Sequence, residues 1–87
     1  MNAVVRKYEE KYDAIIFETK KGFGWLESYK ALNLEESDVL IGEFESHGKA
    51  NITIHRTGET FGAFINEFMQ PYDYVVESVN EYIKLLP

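Results

Sequence analysis

The chain has 87 residues, 45% hydrophobic and 15% aromatic, which is too rich in core-forming side chains for a disordered acidic tail and too short for a two-domain enzyme. It contains no cysteine, which excludes disulfides and thiolate metal sites and fits a reducing compartment such as the cytoplasm. Nine Lys and Arg face fifteen Asp and Glu for a net charge of −6, and no apolar run exceeds the four residues 14–17, so no membrane span is expected.

Asn2 can cap a helix on which Val4, Val5, Tyr8 and Tyr12 fall at three- and four-residue spacing. Ala14-Ile15-Ile16-Phe17-Glu18-Thr19 is β-branched and of strand length, and predicts a strand beginning near Asp13; the same residues also extend the helical stripe toward Lys20-Lys21-Gly22. After the break at Gly22-Phe23-Gly24, the spacing of Trp25, Leu26, Tyr29 and Leu32 predicts a short second helix. Residues 39–45 and 51–57, around Ser46-His47-Gly48-Lys49, predict a β-hairpin. Its register stays open: a two-residue turn places Val39 and Ile41 with Ile52 and Ile54, and a one-residue slip places Leu40 and Phe44 there instead. Phe61, Phe64, Ile65 and Phe68 match one helical face, and after Pro71 a second is matched by Tyr72, Val75, Val76, Val79, Tyr82, Ile83 and Leu86. Strand-like composition at 74–76 and 82–85 offers a final hairpin as the alternative. The expected fold is a single α+β domain over residues 1–87, a small antiparallel sheet with helices packed on it, ending in either a helix or a hairpin.

Catalytic patterns are absent from the sequence. The two histidines, His47 in a turn and His55 on a strand, have no nucleophile or acid in a triad arrangement, and no His or Asp spacing matches a metal motif, so neither enzyme activity nor a cofactor or metal is expected. The charge is informative, because residues 1–34 carry a net +1 and residues 35–87 a net −7. Direct nucleic-acid binding needs clustered Lys and Arg and is not expected; imitation of nucleic-acid charge is compatible with such an acidic chain. Glu35, Glu36 and Asp38 cluster before the hairpin, with Glu43 and Glu45 beyond, and Asp73, Glu77 and Glu81 form a stripe if the C-terminal segment is helical.

Three stretches resemble the phage uracil-DNA glycosylase inhibitors, small acidic proteins that imitate DNA. Ile15-Ile16-Phe17-Glu18-Thr19 is similar to that family's first strand, Glu36-Ser37-Asp38-Val39-Leu40-Ile41 to the lead-in of its second, and Ile83-Lys84-Leu85-Leu86 to its last. The resemblance implies a DNA-mimic inhibitor that occupies the DNA-binding groove of uracil-DNA glycosylase in a host cytoplasm, with Glu18 at the key strand carboxylate and Glu27 at a helix carboxylate. Carboxylates would satisfy the enzyme's basic groove, and an apolar recess would receive the side chain it pushes into the base stack. The candidates for the first task are Glu18, Glu27, Glu36 and Asp38; Leu26, Tyr29, Leu32, Ile41 and Ile54 are candidates to line the recess. A different acidic inhibitor or immunity-type protein, or a non-catalytic interaction domain, is the alternative.

Overall fold

The computed structural model describes residues 1–87 as a closed, all-antiparallel β-barrel with one helix packed against its outside. The strands are β1 (Asn2–Glu9), β2 (Ala14–Thr19), β3 (Gly22–Ser28), β4 (Val39–Ile41), β5 (Gly48–Ile54) and β6 (Thr60–Gln70), followed by helix α1 (Tyr72–Lys84). Around the ring they run β1-β2-β3-β6-β5-β4 and close through β4 on β1, where Ala3 pairs with Leu40. The expected α+β layout, a sheet with helices packed on it, is thus corrected to a barrel with a single C-terminal helix. Of the elements implied by the glycosylase-inhibitor resemblance, 15–19 is a strand and 36–41 leads into one, but residues 83–86 end a helix.

Three segments expected as helices are strands: register shifts disguise β1 and β6, and burial on both faces disguises β3. In β1 the pairing register to β2 shifts between Val5 and Lys7, so that buried Val5 and the next core-facing residue, Tyr8, are three positions apart, imitating a helical period. In β6, Phe61, Ala63 and Ile65 alternate into the barrel, then the β3 pairing slips near Glu67 and turns Phe68 inward as well. In β3, Leu26 faces the barrel interior while its neighbour Trp25 faces α1, and both are buried. A strand covered on both faces loses its apolar–polar alternation.

The predicted pairing of residues around 39–41 with those around 52–54 is present, as Leu40 opposite Ile54 and Ile41 opposite Thr53. The register is the slipped one: Leu40 and Phe44 enter the core beside Ile52 and Ile54, while Ile41 points outward and is 39% exposed. After Pro71 the helical periodicity holds, and the hairpin alternative does not.

Thirteen buried residues fill the barrel, among them Phe17 and Phe44 with ring centroids 5.0 Å apart. A second cluster of five, Ala14, Ile16, Trp25, Val75 and Val79, glues α1 to the outer face of β2 and β3. Phe23 meets Tyr72 edge-on at 5.1 Å and Trp25 meets Tyr82 at 5.0 Å, and the Trp25 indole N–H donates to Ser78 Oγ at 3.3 Å.

The irregular end of β6 is accommodated by glycine in β3. A β-carbon on Gly24 would collide with the Glu67 carbonyl oxygen and come within 2.6 Å of Phe17 Cζ and 2.9 Å of Phe68 Cα. Backbone cannot yield as a side chain does. Gly24→Ala is therefore expected to destabilise the protein by about 3 kcal/mol or more, since relief requires strand separation; a denaturant midpoint equal to wild type would contradict the packing described.

Candidate functional site

The nine residues singled out from the sequence are dispersed over the molecule. Leu26 and Ile54 are completely buried in the barrel interior, and Leu32 plugs its end from the segment between β3 and β4. They form core, with no hollow among them. Ile41 lies on the outer side of β4, and Tyr29, 58% exposed, lies on the outer side of the barrel beyond β3.

The carboxylates are similarly dispersed. Glu18, on the outer face of β2, accepts from Arg6 Nε at 2.7 Å. Glu36 is exposed in the segment between β3 and β4. Asp38, at the end of that segment, is only 7% exposed and takes Arg56 in a fork: Nε donates to Oδ1 at 2.8 Å and Nη2 to Oδ2 at 2.9 Å. The Glu35 amide also donates to Oδ2 at 2.8 Å, and Arg56 Nη2 donates to the Asn33 carbonyl at 3.1 Å. Together with the Tyr8 hydroxyl, which accepts from the Leu32 amide at 3.3 Å, these bonds fasten the long connection over the end of the barrel.

The Arg56 guanidinium holds the Asp38 carboxyl below its ordinary pKa; burial opposes this but is the smaller influence. A depressed carboxylate pKa stabilises the fold fully above the unfolded value of about 3.9, and the contribution disappears as pH falls below it. Arg56→Met, which leaves Asp38 buried without its partner, is expected to cost about 2–3 kcal/mol at neutral pH. The gap to wild type should narrow on acidification below about pH 4, as measured by denaturation across pH; a gap that is constant with pH would remove Asp38 from this role.

Glu27 is spent on holding the helix. Tyr82 of α1 donates to Glu27 Oε2 at 2.6 Å and Asn66 of β6 donates to Oε1 at 3.2 Å, so one carboxylate ties β3, β6 and α1 together. The bond to Glu27, reinforced by burial, pushes the Tyr82 phenol up to about 12. A raised phenol pKa stabilises below the unfolded value of about 10 and is lost as pH rises from there through the folded value. Alkaline titration of tyrosinate absorbance should show Tyr82 lagging to about 12, with Tyr8, raised by burial, a second late phenol among the six tyrosines. Tyr82→Phe should abolish the phase near 12, leave that of Tyr8 and cost about 1 kcal/mol; a phase near 12 that survives the substitution would refute the assignment.

Besides Glu27, seven carboxylates, Glu10, Asp13, Glu36, Glu43, Glu67, Asp73 and Glu77, meet no cation, and two of them lie together on the outside of α1. Its inner face is buried through Val75 and Val79, leaving Asp73, Tyr74, Glu77 and Glu81 exposed. Tyr74, Glu77, Ser78 and Glu81 line a shallow cleft of about 280 Å³. Asp73 and Glu77 have no cation within ion-pair distance, and Glu81 has only Lys84, at 3.5 Å. A larger cleft of about 460 Å³ lies between the start of β1 and the β2–β3 turn, lined by Met1, Asn2, Thr19, Lys20 and Lys21, and Lys21 is paired with Glu45 at 3.0 Å. His47 packs against Phe68 with ring centroids 4.7 Å apart and planes tilted by 57°, and no group of three or more His, Asp or Glu is placed to hold a metal ion. No helix is long and apolar enough to cross a membrane.

No family model, no curated protein and no solved structure matches the chain. The helical stripe at 73, 77 and 81 is visible in the sequence as a spacing, but only the helix makes it a surface. Nothing in the sequence brings Tyr29 to the strand carrying Phe64, because that neighbourhood arises from a β3–β6 pairing across more than thirty residues.

Proposed function

We propose that the protein is a non-catalytic acidic binding protein that docks through the outer face of α1 onto a basic protein surface of the kind that reads a nucleic-acid backbone. The observation that carries this reading is the stripe Asp73, Glu77 and Glu81, whose members stand about 6 Å apart along the helix axis. Like charges at four-residue spacing cost a helix a few tenths of a kcal/mol per pair. The fold gains little in return: Asp73 complements the N-terminal end of the helix and Glu81 approaches Lys84 at 3.5 Å, but Glu77 has no partner, and α1 is held by its opposite face, by Trp25 and by the Tyr82–Glu27 bond. Tyr74, half exposed beside the stripe, supplies the large amphipathic side chain that protein interfaces favour as an anchor.

The narrower expectation, a groove-filling inhibitor of uracil-DNA glycosylase, needs an apolar recess beside its carboxylates. Leu26, Leu32 and Ile54 fill the barrel instead, and Glu27 and Asp38 are engaged inside the protein. The partner class survives on the helical stripe, with the glycosylase as one candidate among enzymes that bind DNA through basic grooves.

The protein is titrated into uracil-DNA glycosylase and a panel of other DNA-reading enzymes, with each enzyme's activity as readout. At least one should be inhibited, with inhibition weakening as ionic strength rises. The variant carrying Asp73→Asn, Glu77→Gln and Glu81→Gln should then bind roughly tenfold or more weakly while melting close to the wild-type temperature, because the repulsion relieved is offset by the loss of Asp73 at the helix N-terminus and of the Glu81–Lys84 pair. Undiminished activity of every enzyme at excess protein, or equal inhibition by the variant, overturns the proposal.

A further inference from the structure

A second face of the barrel, not covered by α1, combines exposed aromatic rings with polar side chains. Across three adjacent strands, Glu27, Phe64 and Lys49 stand in one row, and Gly62 and Asn51 are paired in the next. The Tyr29 amide donates to the Gly62 carbonyl at 2.9 Å, which places Tyr29 beside that second row. Its ring lies across Gly62, with Cδ2 only 3.1 Å from where a β-carbon would stand. Glycine thus lets an aromatic ring rest on the strand with its other side open to solvent. Phe64, 39% exposed, follows two residues farther along the same strand, a diagonal separation of about 7–8 Å from Tyr29.

The polar groups around these rings select the occupant. Asn51 makes no side-chain hydrogen bond within the protein, Lys49 has no carboxylate partner, and Thr53 and Thr60 share a hydroxyl–hydroxyl bond of 3.0 Å that leaves acceptor capacity on both. Glu27, the one carboxylate in the rows, is already satisfied by Tyr82 and Asn66. One lysine is too little to hold a phosphodiester backbone against a chain of net charge −6. A neutral ligand meets no such repulsion. Neither of the two clefts described above includes these residues, and a ligand lying along the sheet here would present C–H faces to the rings and hydroxyls to the amide and ammonium.

We propose that the Tyr29–Phe64 face binds a neutral oligosaccharide, with sugar rings stacked on the two aromatics and hydroxyls hydrogen-bonded to Asn51 and Lys49. Small barrels present such outer sheet faces to extended ligands. This face is distinct from the α1 stripe, so either reading can fail alone.

The test is amide chemical-shift mapping of the nitrogen-labelled full chain with hexasaccharides of glucose, xylose, mannose and N-acetylglucosamine at millimolar concentration, and with single-stranded oligothymidine in a parallel arm. At least one sugar should move the amides of Tyr29, Lys49, Asn51, Gly62 and Phe64, leaving those of α1 in place. Tyr29→Ala should weaken that binding roughly tenfold, and Asn51→Ala measurably, with the remaining spectrum unchanged. No response to any sugar, a response to oligothymidine alone, or unchanged affinity in Tyr29→Ala overturns the proposal.

Discussion

Closure of the ring is the constraint on which everything else depends. Six strands, one of them only three residues long, close into a ring because β4 pairs with β1 on one side and with β5 on the other. Closure satisfies backbone groups that an open sheet would leave bare. It also fixes the interior volume, which thirteen buried side chains fill. The strands are short, so fitting them around the core requires local irregularities: the shift in β1 after Val5 and the crowded exit of β6 against Gly24. The helix then packs on the one stretch of barrel wall whose outer side is itself apolar, carrying Ala14, Ile16 and Trp25.

The ionic groups divide along the same line. Asp38 and Arg56 fasten the long connection over the barrel end, Glu27 anchors α1 through Tyr82, and Arg6 is taken up by Glu18 on the neighbouring strand. These pairs serve the fold. The unbalanced negative charge is spread over Glu10, Asp13, Glu36, Glu43 and Glu67 and, on the outer side of α1, Asp73 and Glu77, which share one helical face and have no cation to meet. An acidic protein whose internal carboxylates are neutralised by its own cations presents to solvent only the remainder. The aromatic pair on β3 and β6 sits in a different electrostatic setting, with Lys49 free and the adjacent carboxylate occupied. Two faces of one small barrel therefore offer different chemistry.

By itself the sequence determined a cysteine-free acidic chain and favoured the strand at 14–19 and the extended segments meeting around 40 and 54, because each of these has a local pattern of β-branching or turn residues; after Pro71 it offered both a helical period and a hairpin, and the structure decided for the helix. Only the tertiary structure decided that 2–9, 22–28 and 60–70 are strands, since bulges in β1 and β6 reset the two-residue alternation and mimic a helical period, while β3 is buried on both sides. The candidate site was legible to the same extent. The spacing of Asp73, Glu77 and Glu81 could be read directly, but whether Glu18, Glu27 and Asp38 were free or paired depended on Arg6, Tyr82 and Arg56, each brought up from at least twelve residues away. Local spacing records what one element can present; which charges are consumed within the protein is set by contacts between elements distant in sequence.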